Sequence, residues 1–153
     1  MKIALIILLV IVALIVLYFI STYNTLVSLR NKVKDQWSQI DVVLKNRNDL
    51  IPNIVETVKG YAKHEKDTLD AVIEARSKAV SATTKDDEIK ASGEVTQALG
   101  RLFALAESYP ELKANTNFLD LQNKLNEIEE KIRYARQFYN DSVLTYKNKI
   151  EMF

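Results

Sequence analysis

An uninterrupted apolar segment, Ile3 to Ile20, follows the single basic residue Lys2 at the start of the chain. Its roughly 18 residues would span about 27 Å as an α-helix, close to the ~30 Å hydrocarbon core of a bilayer. A single segment inside lipid satisfies all its backbone N–H and C=O groups only as a helix. The segment therefore predicts a single-pass transmembrane anchor at 1–22, which places the protein in the cell membrane with residues 3–20 in contact with the lipid bilayer.

A cleaved secretory signal is the competing interpretation of this segment. The apolar region of a signal usually runs about 7–15 residues and ends in a cleavage site of small residues. Here the run is longer and ends in the bulky residues Leu17, Tyr18, Phe19 and Ile20. Tyr18 and Phe19, together with Tyr23, are instead typical of an aromatic belt at the membrane interface, so the pattern favours an uncleaved anchor.

The orientation of the anchor depends on a small difference in charge. Lys2 lies on the amino side, whereas Arg30, Lys32 and Lys34, partly offset by Asp35, lie on the other side. By the positive-inside rule this distribution narrowly favours a cytoplasmic position for the C-terminal domain.

Residues 23–153 are predicted to form one all-α domain. Their acidic and basic residues balance, which excludes the clustered basic face of a nucleic-acid-binding protein. The chain contains only 3 glycines and 2 prolines, so helix breakers are few, and no segment alternates with the two-residue period of a strand. Apolar residues at steps of three and four predict helices at about 23–47, 50–80, 87–108 and 116–150.

The helical pattern also predicts how these segments are arranged. Leu26 resumes the apolar stripe directly after the anchor, so the transmembrane helix should continue into the first soluble helix. A break is expected near Asn48-Asp49, with Asp49 as N-cap, because Pro52 fits the first turn of a new helix. The last segment carries an apolar seam of the coiled-coil type from Phe118 to Ile150. An antiparallel four-helix-type bundle buries such a seam.

No group of residues completes a catalytic or metal site in the sequence. His64 is the only histidine, whereas a metallohydrolase helix requires two histidines and a di-iron bundle requires paired Glu-x-x-His elements. Cysteine is absent, and neither a G-x-S-x-G motif nor a Gly-rich phosphate loop occurs. The acidic residues at 86–88 and 127–130 lack the spacing of a calcium loop and are interpreted as a helix start and a solvated helix face. We therefore expect a protein that is not an enzyme and that binds no metal or cofactor.

Two stretches, Trp37–Asn53 and Tyr109–Asn115, carry more polar detail than a plain bundle requires. The first interpretation is structural, with caps and a turn that set the register of the bundle. The alternative is an end of the bundle that binds a protein partner. The candidate interaction residues are Trp37, Asp41, Arg47, Asp49, His64, Tyr109 and Asn115.

Short motifs recur in order along nearly the whole chain. They are Tyr23-Asn24-x-Leu26-Val27, Trp37-Ser38-Gln39-Ile40-Asp41-Val42, Arg47-x-Asp49-Leu50-Ile51-Pro52-Asn53, Gly60-Tyr61-Ala62-x-His64-Glu65, Ala75-Arg76, Tyr109-Pro110-Glu111-Leu112-Lys113-Ala114-Asn115 and Ala135-Arg136-x-x-Tyr139-Asn140. In this order they resemble the LemA family. The chain departs from the family at Asn46, where a second basic residue is frequent, and at Phe153, where relatives commonly continue into a Pro-containing tail.

The resemblance implies a bacterial single-pass membrane protein with a long antiparallel helical bundle, and it implies no reaction. One branch of the family is associated with magnetosome membranes, which points to membrane organisation. The leading hypothesis is a self-associating, homo-oligomeric membrane scaffold or organiser. The alternative is a membrane-tethered sensor or adaptor that binds a partner protein through one end of the bundle, and this alternative predicts candidate residues exposed on one contiguous surface.

Overall fold

The computed structural model describes residues 2–153 and shows an all-α chain, which confirms the predicted fold class. Its five helices are α1 (Lys2–Tyr61), α2 (Lys66–Ser81), α3 (Lys85–Ala106), α4 (Pro110–Lys113) and α5 (Thr116–Glu151). No strand occurs within the described range.

The predicted continuity between the apolar segment and the first soluble helix is confirmed, because α1 runs through residues 21–26 without a break. The polar side chains of this stretch do not disrupt the helix. The Thr25 hydroxyl donates to the Ser21 carbonyl at 2.9 Å, one turn earlier, so it bonds within the helix. Among the helices within residues 2–153, α1 alone is long and apolar enough to cross a membrane.

The predicted break near Asn48-Asp49 is wrong, because α1 continues to Tyr61 with Pro52 in its interior. Proline has no N–H, so the carbonyl of Asn48, four residues earlier, loses its helical donor. Arg76 of α2 supplies the missing hydrogen bond, with its Nε donating to the Asn48 carbonyl oxygen at 2.8 Å. A tertiary contact therefore stabilises the helix where its own backbone cannot.

Replacing Arg76 with methionine should lower the free energy of unfolding by about 1–3 kcal/mol, because the Asn48 carbonyl is left without a donor. The substitution Pro52→Ala restores a backbone N–H at that position, so Arg76→Met should cost less in the Pro52→Ala background. Urea denaturation of the four full-length proteins in detergent, followed by far-UV circular dichroism, measures this coupling. Strictly additive losses would show that Arg76 stabilises the fold by some other contact.

The described residues divide into two compact units, one made of the chain up to Gln39 with Ala135–Phe153 and the other of Ile40–Tyr134. In the first unit, α1 and α5 form an antiparallel pair. The rings of Trp37 and Tyr139 meet edge-to-face with centroids 5.2 Å apart. The ring of Phe153 lies 5.8 Å from that of Phe19 near the carboxyl end of the apolar segment.

The second unit is an up-down-up-down bundle formed by the later part of α1, α2, α3 and the early part of α5. Arg47 of α1 contacts Ser92 near the start of α3 and Glu129 well inside α5. Tyr61 at the end of α1 contacts Asn115 just before α5. The core contains Ile51, Ile54, Val58, Val72, Val95, Leu99, Leu102, Leu112, Phe118 and Leu125.

Two connections between helices differ from the prediction. The helix expected to start near residue 87 begins at Lys85, because the Thr84 hydroxyl caps it by accepting from the Asp87 backbone N–H at 3.2 Å. The second polar stretch contains the short helix α4, which holds Leu112 fully buried in the core.

Candidate functional site

Arg47 is fully buried and links three helices of the second unit. Its Nη1 donates to Thr96 Oγ1 at 2.9 Å and to Glu129 Oε1 at 2.8 Å. Its Nη2 donates to the carbonyl and the hydroxyl of Ser92 at 3.1 and 3.0 Å. These bonds satisfy most of the guanidinium group within the protein, and the Glu129 carboxylate balances its charge. Arg47 therefore sets the register of α1 against α3 and α5.

A cavity of about 370 Å³ lies beside this network, between α1, the end of α2 and the start of α3. We call it the junction cavity. Asp41, Lys45, Asp49 and Arg76 supply most of its charged lining. Its apolar lining consists of Leu44, Ala79, Val80 and Ala82.

Three buried side-chain atoms of the described residues have no hydrogen-bond partner, and all three belong to residues that line the junction cavity. They are Arg47 Nε, Asn48 Oδ1 and Glu88 Oε2. Asn48 is only 9% exposed. Because a buried polar atom without a partner costs free energy, polar groups concentrated in this way favour a bound molecule that completes their hydrogen bonds.

The carboxyl groups of Asp41 and Glu88 meet at the junction cavity. Burial raises the pKa of Glu88, and the neighbouring Asp41 carboxyl raises it further, while Lys85 acts in the opposite direction. Two carboxyl groups in contact either share a proton or bind a positively charged group between them. This end of the cavity therefore has the chemistry of a cation-binding site.

The opposite end of the second unit contains a separate group of hydrogen bonds. The Tyr109 hydroxyl donates to Glu65 Oε1 at 2.9 Å, and this bond is the main cause of the raised pKa of Tyr109. Asn115 Nδ2 donates to the Tyr61 hydroxyl at 2.9 Å, and its Oδ1 accepts from the Phe118 backbone N–H at 3.0 Å. These bonds close the turns that surround α4 and cap the start of α5.

The structure does not bring the candidate interaction residues together. Asp41, Arg47 and Asp49 line the junction cavity, whereas His64, Tyr109 and Asn115 lie at the far end of the second unit. Along α1, the distance from Arg47 to Tyr61 is about 20 Å. His64 is exposed and lies in the turn between α1 and α2. The sequence predicted it inside a helix, because the turn was expected near Asn48-Asp49. Trp37 belongs to the first unit and is buried against Tyr139.

Sequence reasoning missed Glu129, Glu88 and Ser92 as functional residues. One signal was available, because Glu129 stands four residues after Leu125 and three before Ile132, on the buried seam of α5. A charged residue on an apolar seam needs a buried partner. Arg47 is likewise a charged residue on the buried face of its helix, because it stands four residues before the buried Ile51 of α1.

Within residues 2–153, no group of three or more His, Cys, Asp or Glu side chains is arranged to hold a metal ion. The junction cavity offers hydrogen bonds, ion pairing and an apolar wall. These groups suit binding of a ligand.

The apolar segment of α1 and the four-helix bundle define a membrane-associated, all-α protein with one candidate transmembrane helix. A profile of the LemA family matches residues 36–153, which include the whole second unit. The chain belongs to the LemA family.

Curated relatives agree with this assignment at modest identity. Protein LemA of Metamycoplasma hominis is 25% identical over 136 residues, covering 88% of this chain and 62% of the relative. Magnetosome protein MamQ 2 of Paramagnetospirillum magneticum is 26% identical over 173 residues, covering 94% of this chain and 64% of the relative. Magnetosome protein MamQ of Magnetospirillum gryphiswaldense is 24% identical over 150 residues, covering 81% and 55%. The chain thus spans less than two thirds of the length of each of these relatives.

Proposed function

We propose that the protein is a membrane-anchored scaffold whose bundles associate with copies of themselves, and that it is not an enzyme. The similarity to the MamQ magnetosome proteins supports a role in membrane organisation. The single helix from Lys2 to Tyr61 supports it further, because the anchor and the bundle are parts of one element. On the distribution of Arg30, Lys32 and Lys34 after the anchor, the proposal places the bundle on the cytoplasmic side.

The observation that carries the proposal is an exposed apolar face on α2. Ile73 is 50% exposed and Val80 is 61% exposed. They stand seven residues apart and so lie on the same side of the helix. Contact with a second copy would remove apolar surface from water at about 25 cal/mol per Å². Two side chains make a weak contact, but anchored copies share a membrane, which raises their effective concentration.

The proposal predicts that the full-length protein forms oligomers in mild detergent and that the double substitution Ile73→Ser/Val80→Ser shifts them toward monomer. Mass measurement by light scattering over a range of protein concentrations tests this. The control is Asp70→Ser/Ser77→Ala, two exposed polar positions on the same helix, which should leave the mass unchanged. A wild-type protein that is monomeric at every concentration would contradict the scaffold function.

A sensor or adaptor function is the second candidate, and the junction cavity is the observation that favours it. Trp37 and Arg47 are buried and cannot form a docking surface. Asp41 and Asp49, by contrast, are exposed on the cavity wall, where a ligand reaches them.

A further inference from the structure

We propose that the junction cavity binds a lysine-type ligand, that is, an ammonium group joined by a short methylene chain to a neutral amide or hydroxyl group. The ammonium would lie between the carboxyl groups of Asp41 and Glu88, and the neutral group would lie beside Asn48. This inference deepens the sensor or adaptor candidate and does not depend on self-association.

The carboxyl end of the cavity selects the charge of the ligand. Asp41 comes from α1 and Glu88 from α3, and both acidic residues line the cavity there. Glu88 Oε2 is buried and accepts no hydrogen bond from the protein. Arg47, also in the lining, is already paired with Glu129 at 2.8 Å. An ammonium group donates three hydrogen bonds and can replace a proton shared by the two carboxyl groups, because it offsets their repulsion when both are ionised, which a neutral ligand does not.

The other end of the cavity selects a neutral polar group. Asn48 Oδ1 needs a donor, and the adjacent Arg47 Nε needs an acceptor. A peptide amide or a hydroxyl provides both a donor and an acceptor, whereas a second ammonium would provide donors only. A second cation would also be repelled by Arg76, whose Nε is bonded to the Asn48 carbonyl.

The spacing and the wall between the two ends select the length of the ligand. Asp41 and Asn48 stand seven residues apart on α1, and two turns of helix separate them by about 10 Å. Leu44 lies between them, and Ala79 and Val80 of α2 also line the cavity. A lysine side chain with its backbone amide covers a comparable length, and its methylene groups match this apolar wall.

Two lysines of the protein compete for the carboxyl end. Lys85 already acts on Glu88. Lys45 lines the cavity one turn after Asp41 and is exposed. Its positive charge opposes the binding of an ammonium group. Removal of this charge should therefore strengthen binding of the ammonium group. This result is expected if the carboxyl groups bind the ligand, and it is not expected if they have only a structural role.

The test is calorimetric titration of the full-length protein in detergent with N-acetyl-lysine-N-methylamide. The matched probe is N-acetyl-norleucine-N-methylamide, which has the same carbon chain and lacks the ammonium. We expect saturable binding of the lysine probe and none of the norleucine probe. Asp41→Asn should weaken binding about tenfold, which is about 1.4 kcal/mol, and Lys45→Gln should strengthen it about threefold. Asp70→Asn, an exposed change on α2, should have no effect.

A further titration, with 5-amino-1-pentanol, distinguishes a site for a free amine from a site for a lysine within a polypeptide. If 5-amino-1-pentanol binds as tightly as the lysine probe, the site accepts a free amine. If the lysine probe binds more tightly, the site reads a lysine within a polypeptide. Equal binding of the lysine and norleucine probes would overturn the proposal, as would the absence of binding in both the wild type and Lys45→Gln. Val80 belongs both to the exposed face of α2 and to the cavity wall, so the oligomer measurement is repeated with Ile73→Ser alone, which leaves the cavity lining unchanged. A failure of ligand binding then leaves the scaffold proposal to be decided by that measurement.

Discussion

Replacing Arg47 with methionine should lower the free energy of unfolding by about 3–5 kcal/mol, because it removes one partner of a buried ion pair. The Glu129 carboxylate would lose its bond to Nη1, and the Ser92 carbonyl and hydroxyl would lose theirs to Nη2. The side chain of Glu129 is 28% exposed, so water relieves part of the penalty. We therefore expect a loss near 3 kcal/mol, at the lower end of that range.

Chemical denaturation of the full-length variant in detergent measures this loss. The matched control is Arg133→Met on α5, whose pair with Glu130 spans 3.8 Å between side chains that are 68% and 71% exposed. Such an exposed pair contributes about 0–1 kcal/mol. If Arg47→Met costs no more than Arg133→Met, then the bundle does not depend on the Arg47 network.

The substitution Trp37→Ala should destabilise the first unit by about 3–5 kcal/mol, because it removes a large buried aromatic side chain. Trp37 is 8% exposed and packs edge-to-face on Tyr139 at 5.2 Å. Trp37→Phe keeps an aromatic ring and should cost less. Thermal unfolding followed by far-UV circular dichroism gives the overall loss, and hydrogen exchange of peptides around residues 30–39 and 135–146 locates it.

Phe138→Ala is the matched control for this second prediction. Phe138 is an aromatic residue of the same unit, but it is 58% exposed. A substitution at an exposed site away from the core changes stability by about 0.5 kcal/mol or less. A loss of similar size at both positions would contradict the assignment of Trp37 as a core residue of the first unit.

The helical architecture could be predicted from the sequence because it depends on local patterns. Apolar residues at steps of three and four predicted the positions of the helices, and the apolar stripe that resumes at Leu26 predicted the continuity of α1. The break near Asn48-Asp49 was predicted by an equally local rule and failed. Its correction comes from Arg76, which lies 28 positions away from Asn48 in the chain. A local pattern holds no information about a contact of that kind.

The candidate site could be predicted only in part, for the same reason. Asp41, Arg47 and Asp49 were singled out from the sequence, and all three line the junction cavity. Their partners Glu88 and Glu129 were interpreted as a helix start and a solvated face. Acidic residues are common in both settings, so only the packing of three helices distinguishes a buried carboxylate from a solvated one.

The Arg76 contact makes α2 part of the hydrogen bonding of α1. A proline inside a helix leaves the carbonyl four residues earlier without its backbone donor. Here α2 supplies that donor, through the bond to Asn48. The conformation of α1 around Pro52 and the packing of α2 against it are therefore thermodynamically linked, and each contributes to the other by the same free energy. Any influence that moves α2 away from α1 also leaves the Asn48 carbonyl without a donor.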